Sequence, residues 1–380
     1  MELWVHGLPQ DRTAGLETAR RLGISHVVLG SNREAIDQAV EAGCSVYACT
    51  HAFGFRKEDP EHLLCLTITG ERKAWFRSNC PSRPEVQERH LEKVRELAGI
   101  PGIKGVFIDG ARFASPASGI ETFLTCFCDA CKSRAESLGF DFDRMRRDVA
   151  ALYEGLRRSR GDAGREFSAG APPSAVDLLR LAVLLPGIVD WFRFRALCTA
   201  EHIRQVRETL KSSNADLVLG MYVFTPCLSA LVGQVYPLLA EHVDIFAPMI
   251  YRNGPPDSIA PLNSELARLW RDLSDVAGIE PGAAAAAVLS FVGLDGLLSE
   301  HTPEALAAAL PPEVVRRETA SARALLEGHI RLAPIIWLQD DEIERSARAV
   351  QSGGADGVSF FSFKEGAEAL LERAVAALDR

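Results

Sequence analysis

Residues Gly105-Val-Phe-Ile-Asp-Gly-Ala-Arg-Phe113 make a short apolar run that ends in charge. Such a run reads as a buried parallel strand, with Asp109 at its C-terminal rim. A carboxylate directly after Val-Phe-Ile is costly to bury alone. It needs either a cation such as Arg112 or a solvent-filled mouth where it does chemistry. The plainer alternative is an Asp that caps a loop. Because the active sites of parallel α/β folds lie at strand C-termini, Asp109 is the first catalytic candidate.

Upstream, residues 2–6, 25–30 and 45–50 read as strands, and helical spacing fills 13–22 and 32–42, stopped by Gly23 and Gly43. Strands separated by helices of that length pair in parallel. Ser82-Arg-Pro-Glu85 resembles a capping box that opens a helix running to Gly99. Downstream, 121–138 reads as one helix holding a cysteine cluster in its first turns, and 189–210 as a long amphipathic helix. Further strands are expected at 217–224, 244–251, 332–339 and 357–363, with helices at 228–240, 264–276, 312–327, 341–352 and 367–378. Residues 283–292 read as helical or irregular. The polar, glycine-broken 157–165 and the turn Ala171-Pro-Pro-Ser174 mark an inserted loop with one apolar helix at 176–185. Eight strands alternating with helices predict an α/β fold, a single-domain (β/α)8 TIM barrel over 1–380 with insertions at about 52–81, 154–187 and 280–312. The alternative is a doubly wound sheet with a helical insert.

The 380 residues, 47% of them hydrophobic, are enough to fill such a core. A net charge of −9 argues against a nucleic-acid or anionic-membrane surface, which needs a basic stripe. The start Met-Glu-Leu-Trp-Val-His-Gly has no signal-peptide pattern and no run approaches the span of a bilayer, so a cytoplasmic protein is expected. Nine cysteines, several in apolar segments, fit a reducing compartment.

A barrel would bring His6, His51, Asp109, Arg112, Tyr222, Tyr251, Arg252, Gln339, Asp340 and Lys364 to one face. That polar set suits a sugar. Hydrolysis of a glycosidic bond uses two carboxyl groups, one to protonate the leaving oxygen and one as nucleophile or base. Asp109 supplies one of them, as nucleophile or acid, and Asp340 is the best-placed candidate for the other, although the helix that follows Asp340 also explains an acidic residue there. Trp337 reads equally as core or as a stacking platform.

Cys126-Phe-Cys-Asp-Ala-Cys131 has the close spacing of thiolate metal ligands. It reads either as buried free thiols or as a structural zinc site on Cys126, Cys128 and Cys131. A closed site needs a fourth ligand, from Cys80 or a distant histidine. Catalysis itself calls for no cofactor.

Asn79-Cys-Pro-Ser-Arg-Pro-Glu-Val86, Gly105–Arg112, the cysteine cluster and Asp244-Ile-Phe-Ala-Pro-Met-Ile-Tyr251 together resemble the uncharacterised glycoside-hydrolase-like TIM barrels of bacteria, over residue 79 to the end. The resemblance implies a catalytic carboxylate at the end of the fourth strand, carried onto Asp109, with Arg112 beside it. It implies a glycosidase acting on a small carbohydrate or glycoside. Unlike better-known retaining glycosidases, this chain lacks Glu at the ends of the fourth and seventh strands. A non-hydrolytic barrel, sugar-binding or a proton-transferring lyase or isomerase, is the alternative. The Cys-x-Cys-x-x-Cys spacing also resembles queuine-type tRNA-ribosyltransferases. Here the cluster follows the fourth strand and the acidic charge suits a polyanion poorly.

Overall fold

The computed structural model describes residues 1–158, 175–254, 260–298, 300 and 302–378. Eight parallel strands close on themselves. They are Glu2–His6, His26–Leu29, Ser45–His51, Gly105–Asp109, Val218–Phe224, Ile245–Met249, a seventh in two pieces (Arg331–Leu332 and Ile335–Trp337), and Gly357–Phe361. Each pairs with the next, the eighth pairs with the first, and both pieces of the seventh pair with the sixth. The expected TIM barrel is therefore present. Pro334 divides the seventh strand because it has no N–H for the ladder; its carbonyl still accepts from Ser359.

Side-chain alternation sorts the strands into two cores. Val5, Val27, Val46, Val106, Ile108, Leu219, Phe246 and Val358 point outward and pack in one cluster beneath the surrounding helices. Trp4, Val28, Tyr47, Phe107, Tyr222, Ala247, Met249 and Ile335 fill the interior. Asp109, two residues beyond Phe107, continues the interior row at its open end. Trp337 is half-buried against this inner cluster.

Helices Arg12–Arg21, Arg33–Glu41, Pro84–Ala98, Leu262–Ala277, Glu313–Ala324, Ile343–Ser352 and Glu368–Ala376 lie where the apolar spacing puts them, and Pro281–Phe291 is helical. The long helix runs Pro186–Ser213, and Ala175–Leu184 is the inserted apolar helix, with none of its residues buried. Of the expected loop at 157–165 and turn at 171–174, residues 159–174 lie outside the described residues.

Three local expectations are corrected. Arg83, not Ser82, is the N-cap of Pro84–Ala98 and no side chain caps it; Pro84 at the first helical position supplies a preset φ instead. The segment 228–240 is not one helix. It breaks into Pro226–Ser229, a short 3-10 turn and Tyr236–Ala240, because Gly233 takes a left-handed φ of +80°. The segment 121–138 is also broken: Ile120–Phe123 is a single turn, Cys126 lies in the irregular chain between the helices, Cys128 is an N-cap and, of the three cysteines, Cys131 is the one inside Asp129–Ser137. A second amphipathic helix, Phe142–Arg158, follows it.

Candidate active site

The third and fourth strands are in register, with His51 opposite Asp109. His51 Nδ1 lies 3.5 Å from Asp109 Oδ2 and Nε2 lies 2.9 Å from Ser78 Oγ. With its proton on Nδ1 the imidazole faces the carboxylate and Nε2 accepts from the serine hydroxyl. Gly110 makes this possible. At φ +68° it has no side chain to meet the ring, and a Cβ there would lie 2.0 Å from His51 Cε1.

Burial pushes the Asp109 carboxyl up. The hydrogen bond from His51, the positive charge of Arg112 and the N–H of Gly110 outweigh this and hold it below the usual carboxylate value. Asp109 is therefore an anion at the barrel mouth. Around it, His6 Nδ1 hydrogen-bonds the Tyr222 hydroxyl at 2.6 Å. Burial drives His6 down to about 3 against the opposing field of Asp109, so its ring is neutral. Tyr222 lies within the fifth strand and not at its end. Tyr251, just past the sixth strand, is buried with its ring 5.4 Å from Phe361, and its hydroxyl feels the charge of Asp109.

Arg112 is buried, but the partner within ion-pair distance of Asp109 is His51. The Arg112 guanidinium lies 4.7 Å from the ring centre of Trp75, 4.4 Å from Phe224 and 5.7 Å from Phe76, and donates to the Phe113 carbonyl. Burial lowers it to about 10, opposed by the charges of Glu265 and Asp109. Glu265 is buried on Leu262–Ala277, accepting from Ser115 Oγ and the Ala117 N–H.

The remaining expected residues have other partners or none in common with Asp109. Asp340 and Arg252 are both buried and form a clasp: Arg252 Nε donates to Asp340 Oδ2 at 2.8 Å and its Nη2 to Oδ1. Ser346 Oγ and the Glu342 N–H occupy the same carboxylate, and Arg252 also donates to the Leu310 carbonyl. Both Asp340 oxygens are thus taken, which leaves none for a leaving oxygen. Asp341 and Glu342 also pair with Arg252. Gln339 donates to the Ser362 carbonyl, and Lys364 is exposed beyond the eighth strand.

A second centre lies between the excursions that follow the third and fourth strands. The sulfurs of Cys80, Cys126, Cys128 and Cys131 all fall within 4.8 Å of one another in a buried cluster. Cys80 Sγ is 3.7 Å from Cys128 and 3.5 Å from Cys131. Four thiolates on a tetrahedral zinc with bonds of about 2.3 Å would stand about 3.8 Å apart. The Leu66 N–H also donates to Cys126 Sγ at 3.2 Å, a bond that favours a thiolate. The donor set fits zinc.

Ser78, Trp75, Phe76 and Glu265 carry no local motif and were not among the expected site residues. The aromatic-basic run Lys73-Ala-Trp-Phe-Arg77 was an available signal for Trp75 and Phe76, with Ser78 directly after it.

No protein-family model and no curated protein sequence matches the chain. Among solved structures, the β-galactosidase of the psychrophilic Marinomonas ef1 superimposes with a TM-score of 0.60 at 14% identity, over 99% of this chain and 59% of that one. The glycoside hydrolase domain of PgaB (BpsB) from Bordetella bronchiseptica gives 0.55 at 14%, over 100% and 99%. The β-galactosidase of the Antarctic haloarchaeon Halorubrum lacusprofundi gives 0.56 at 16%, over 100% and 58%. The chain spans less than two thirds of either β-galactosidase. At these identities the likeness is one of fold, and the fold shared is the TIM barrel.

Proposed function

We propose that the protein is a glycoside hydrolase acting on a small carbohydrate or glycoside, with Asp109 as the catalytic carboxylate. The observation that carries this reading is the ionised Asp109 at the barrel mouth, paired with His51 and ringed by His6, Tyr222, Tyr251 and Arg112. In this reading Asp109 acts as nucleophile or activates water, His51 orients it, and Tyr222 and His6 hold sugar hydroxyls. The neighbours in fold, two β-galactosidases and a glycoside hydrolase domain, support it by analogy. Asp340 is read as part of the buried clasp.

One observation favours a second reading. With Asp340 locked by Arg252, the expected carboxyl pair has a single open member. A proton-transfer barrel would need no second carboxylate, with Asp109 as its base. Assay of a panel of aryl glycosides and oligosaccharides, in parallel for the wild type and Asp109→Asn, separates the readings. Hydrolysis that drops by about 10²–10⁴-fold in the variant supports the glycosidase. Undiminished hydrolysis in Asp109→Asn removes Asp109 from the mechanism, and no hydrolysis of any glycoside by the wild type favours the second reading.

We propose also that Cys80, Cys126, Cys128 and Cys131 hold a structural zinc ion. Such a metal would tie the two excursions that wall the mouth and takes no part in the chemistry.

A further inference from the structure

The turn Trp75-Phe76-Arg77-Ser78 is built in an unfavourable way. Trp75 and Ser78 bridge as an antiparallel pair, with the Ser78 N–H donating to the Trp75 carbonyl at 2.6 Å. The two residues at the tip, Phe76 and Arg77, both take left-handed φ angles, +40° and +54°. A two-residue hairpin loop with both tip residues left-handed is the conformation that asparagine followed by glycine adopts readily and that a bulky residue resists. Strain of this kind persists where the surroundings impose it and collects at functional sites.

The strained residue presents a ring. Phe76 is 43% exposed while its neighbour Trp75 is buried as an anchor. Its ring centre is 6.1 Å from that of His51 and 5.7 Å from the Arg112 guanidinium. Ser78 closes the turn and hydrogen-bonds His51, so the position of the ring is coupled to the imidazole that meets Asp109. An exposed aromatic side chain beside a polar mouth offers a flat apolar face, which matches the C–H face of a pyranose ring.

Resting on the carbohydrate reading above, we propose that Phe76 is a stacking platform for a pyranose unit of the substrate, in a subsite next to the Asp109–His51 pair. Its test uses Asp109→Asn as the parent, so that binding is read without turnover. Binding of immobilised α- and β-linked oligosaccharides is measured, and retained glycans are titrated by calorimetry. Phe76→Ala in this parent is expected to weaken binding by roughly two- to tenfold, and Phe76→Trp to preserve it. The double change Phe76→Asn with Arg77→Gly relieves the turn. It is expected to weaken binding equally while raising Tm by roughly 2–4 °C, which separates ligand contact from structural packing. Equal binding by the parent and Phe76→Ala overturns the proposal, as does a parent that retains no glycan. Hydrolysis by the wild type is scored separately. Phe76-dependent binding without any hydrolysis leaves the platform standing and removes the hydrolase.

Discussion

His51 stands 3.5 Å from Asp109 through Nδ1, and the absence of a side chain at residue 110 lets it stay there. Gly110→Ala puts a methyl group 2.0 Å from Cε1 at a left-handed φ, so the ring must move. Activity is expected to fall by about 10²-fold through misplacement alone. The imidazole resonances should shift in the same variant. Full activity in Gly110→Ala would show that the His51 geometry is not used.

The Arg252–Asp340 clasp gives an expectation about stability. Asp340→Ala leaves a buried guanidinium without its main partner, a loss of about 3–5 kcal/mol. Denaturant unfolding would register it, while the folded fraction keeps its turnover. If Asp340→Asn instead abolished turnover at an unchanged Tm, the carboxylate would return to the catalytic machinery.

Buried imidazoles set the acid side of the stability curve. Burial lowers His6 to about 3 and His202 to about 4, and puts His90, bonded to His202 at 2.8 Å, well below its ordinary value. Each folded-state value lies below the unfolded value near 6.5, so the unfolded chain binds more protons between them. The stability they contribute is complete above about pH 6.5 and drains as pH falls toward 4 and below. Urea midpoints at pH 7, 5.5 and 4.5 should decline in that order, and His90→Gln with His202→Gln should flatten the decline. An unaltered slope in that variant would assign the acid sensitivity elsewhere.

For the thiol cluster the expected result is one zinc per chain in protein purified without chelator. Cys80→Ala should lose the metal and lower Tm, because metal binding to such a set is also folding free energy. Metal-free wild-type protein with an unchanged Tm would leave four buried thiols and no metal.

The barrel was legible because its strands are short apolar runs punctuated by glycine, and the place of Asp109 at the C-terminal end of Gly105–Asp109 already set it at the rim. His6, His51, Tyr222 and Tyr251 lie near Asp109 because their strands deliver them there. Asp340 misled because a strand-end position does not reveal that Arg252, 88 residues earlier, occupies both its oxygens. Arg112 was located correctly near Asp109, yet its aromatic surroundings come from Trp75 and Phe224, which no local pattern connects to it. The helix expected at 121–138 failed because the chain breaks after Phe123, and the cluster is assembled from an irregular segment, an N-cap and a helix, with Cys80 from another excursion.

The cluster spans from Cys80 to Cys131, and Cys80 lies two residues after Ser78, whose hydroxyl touches His51. If zinc closes it, the nutritional supply of a trace metal becomes an input to the shape of the mouth. A preparation made in a chelating buffer would then look like a protein without activity, although its Asp109 was intact. Metal content therefore belongs beside every rate measured on this protein, including rates of zero.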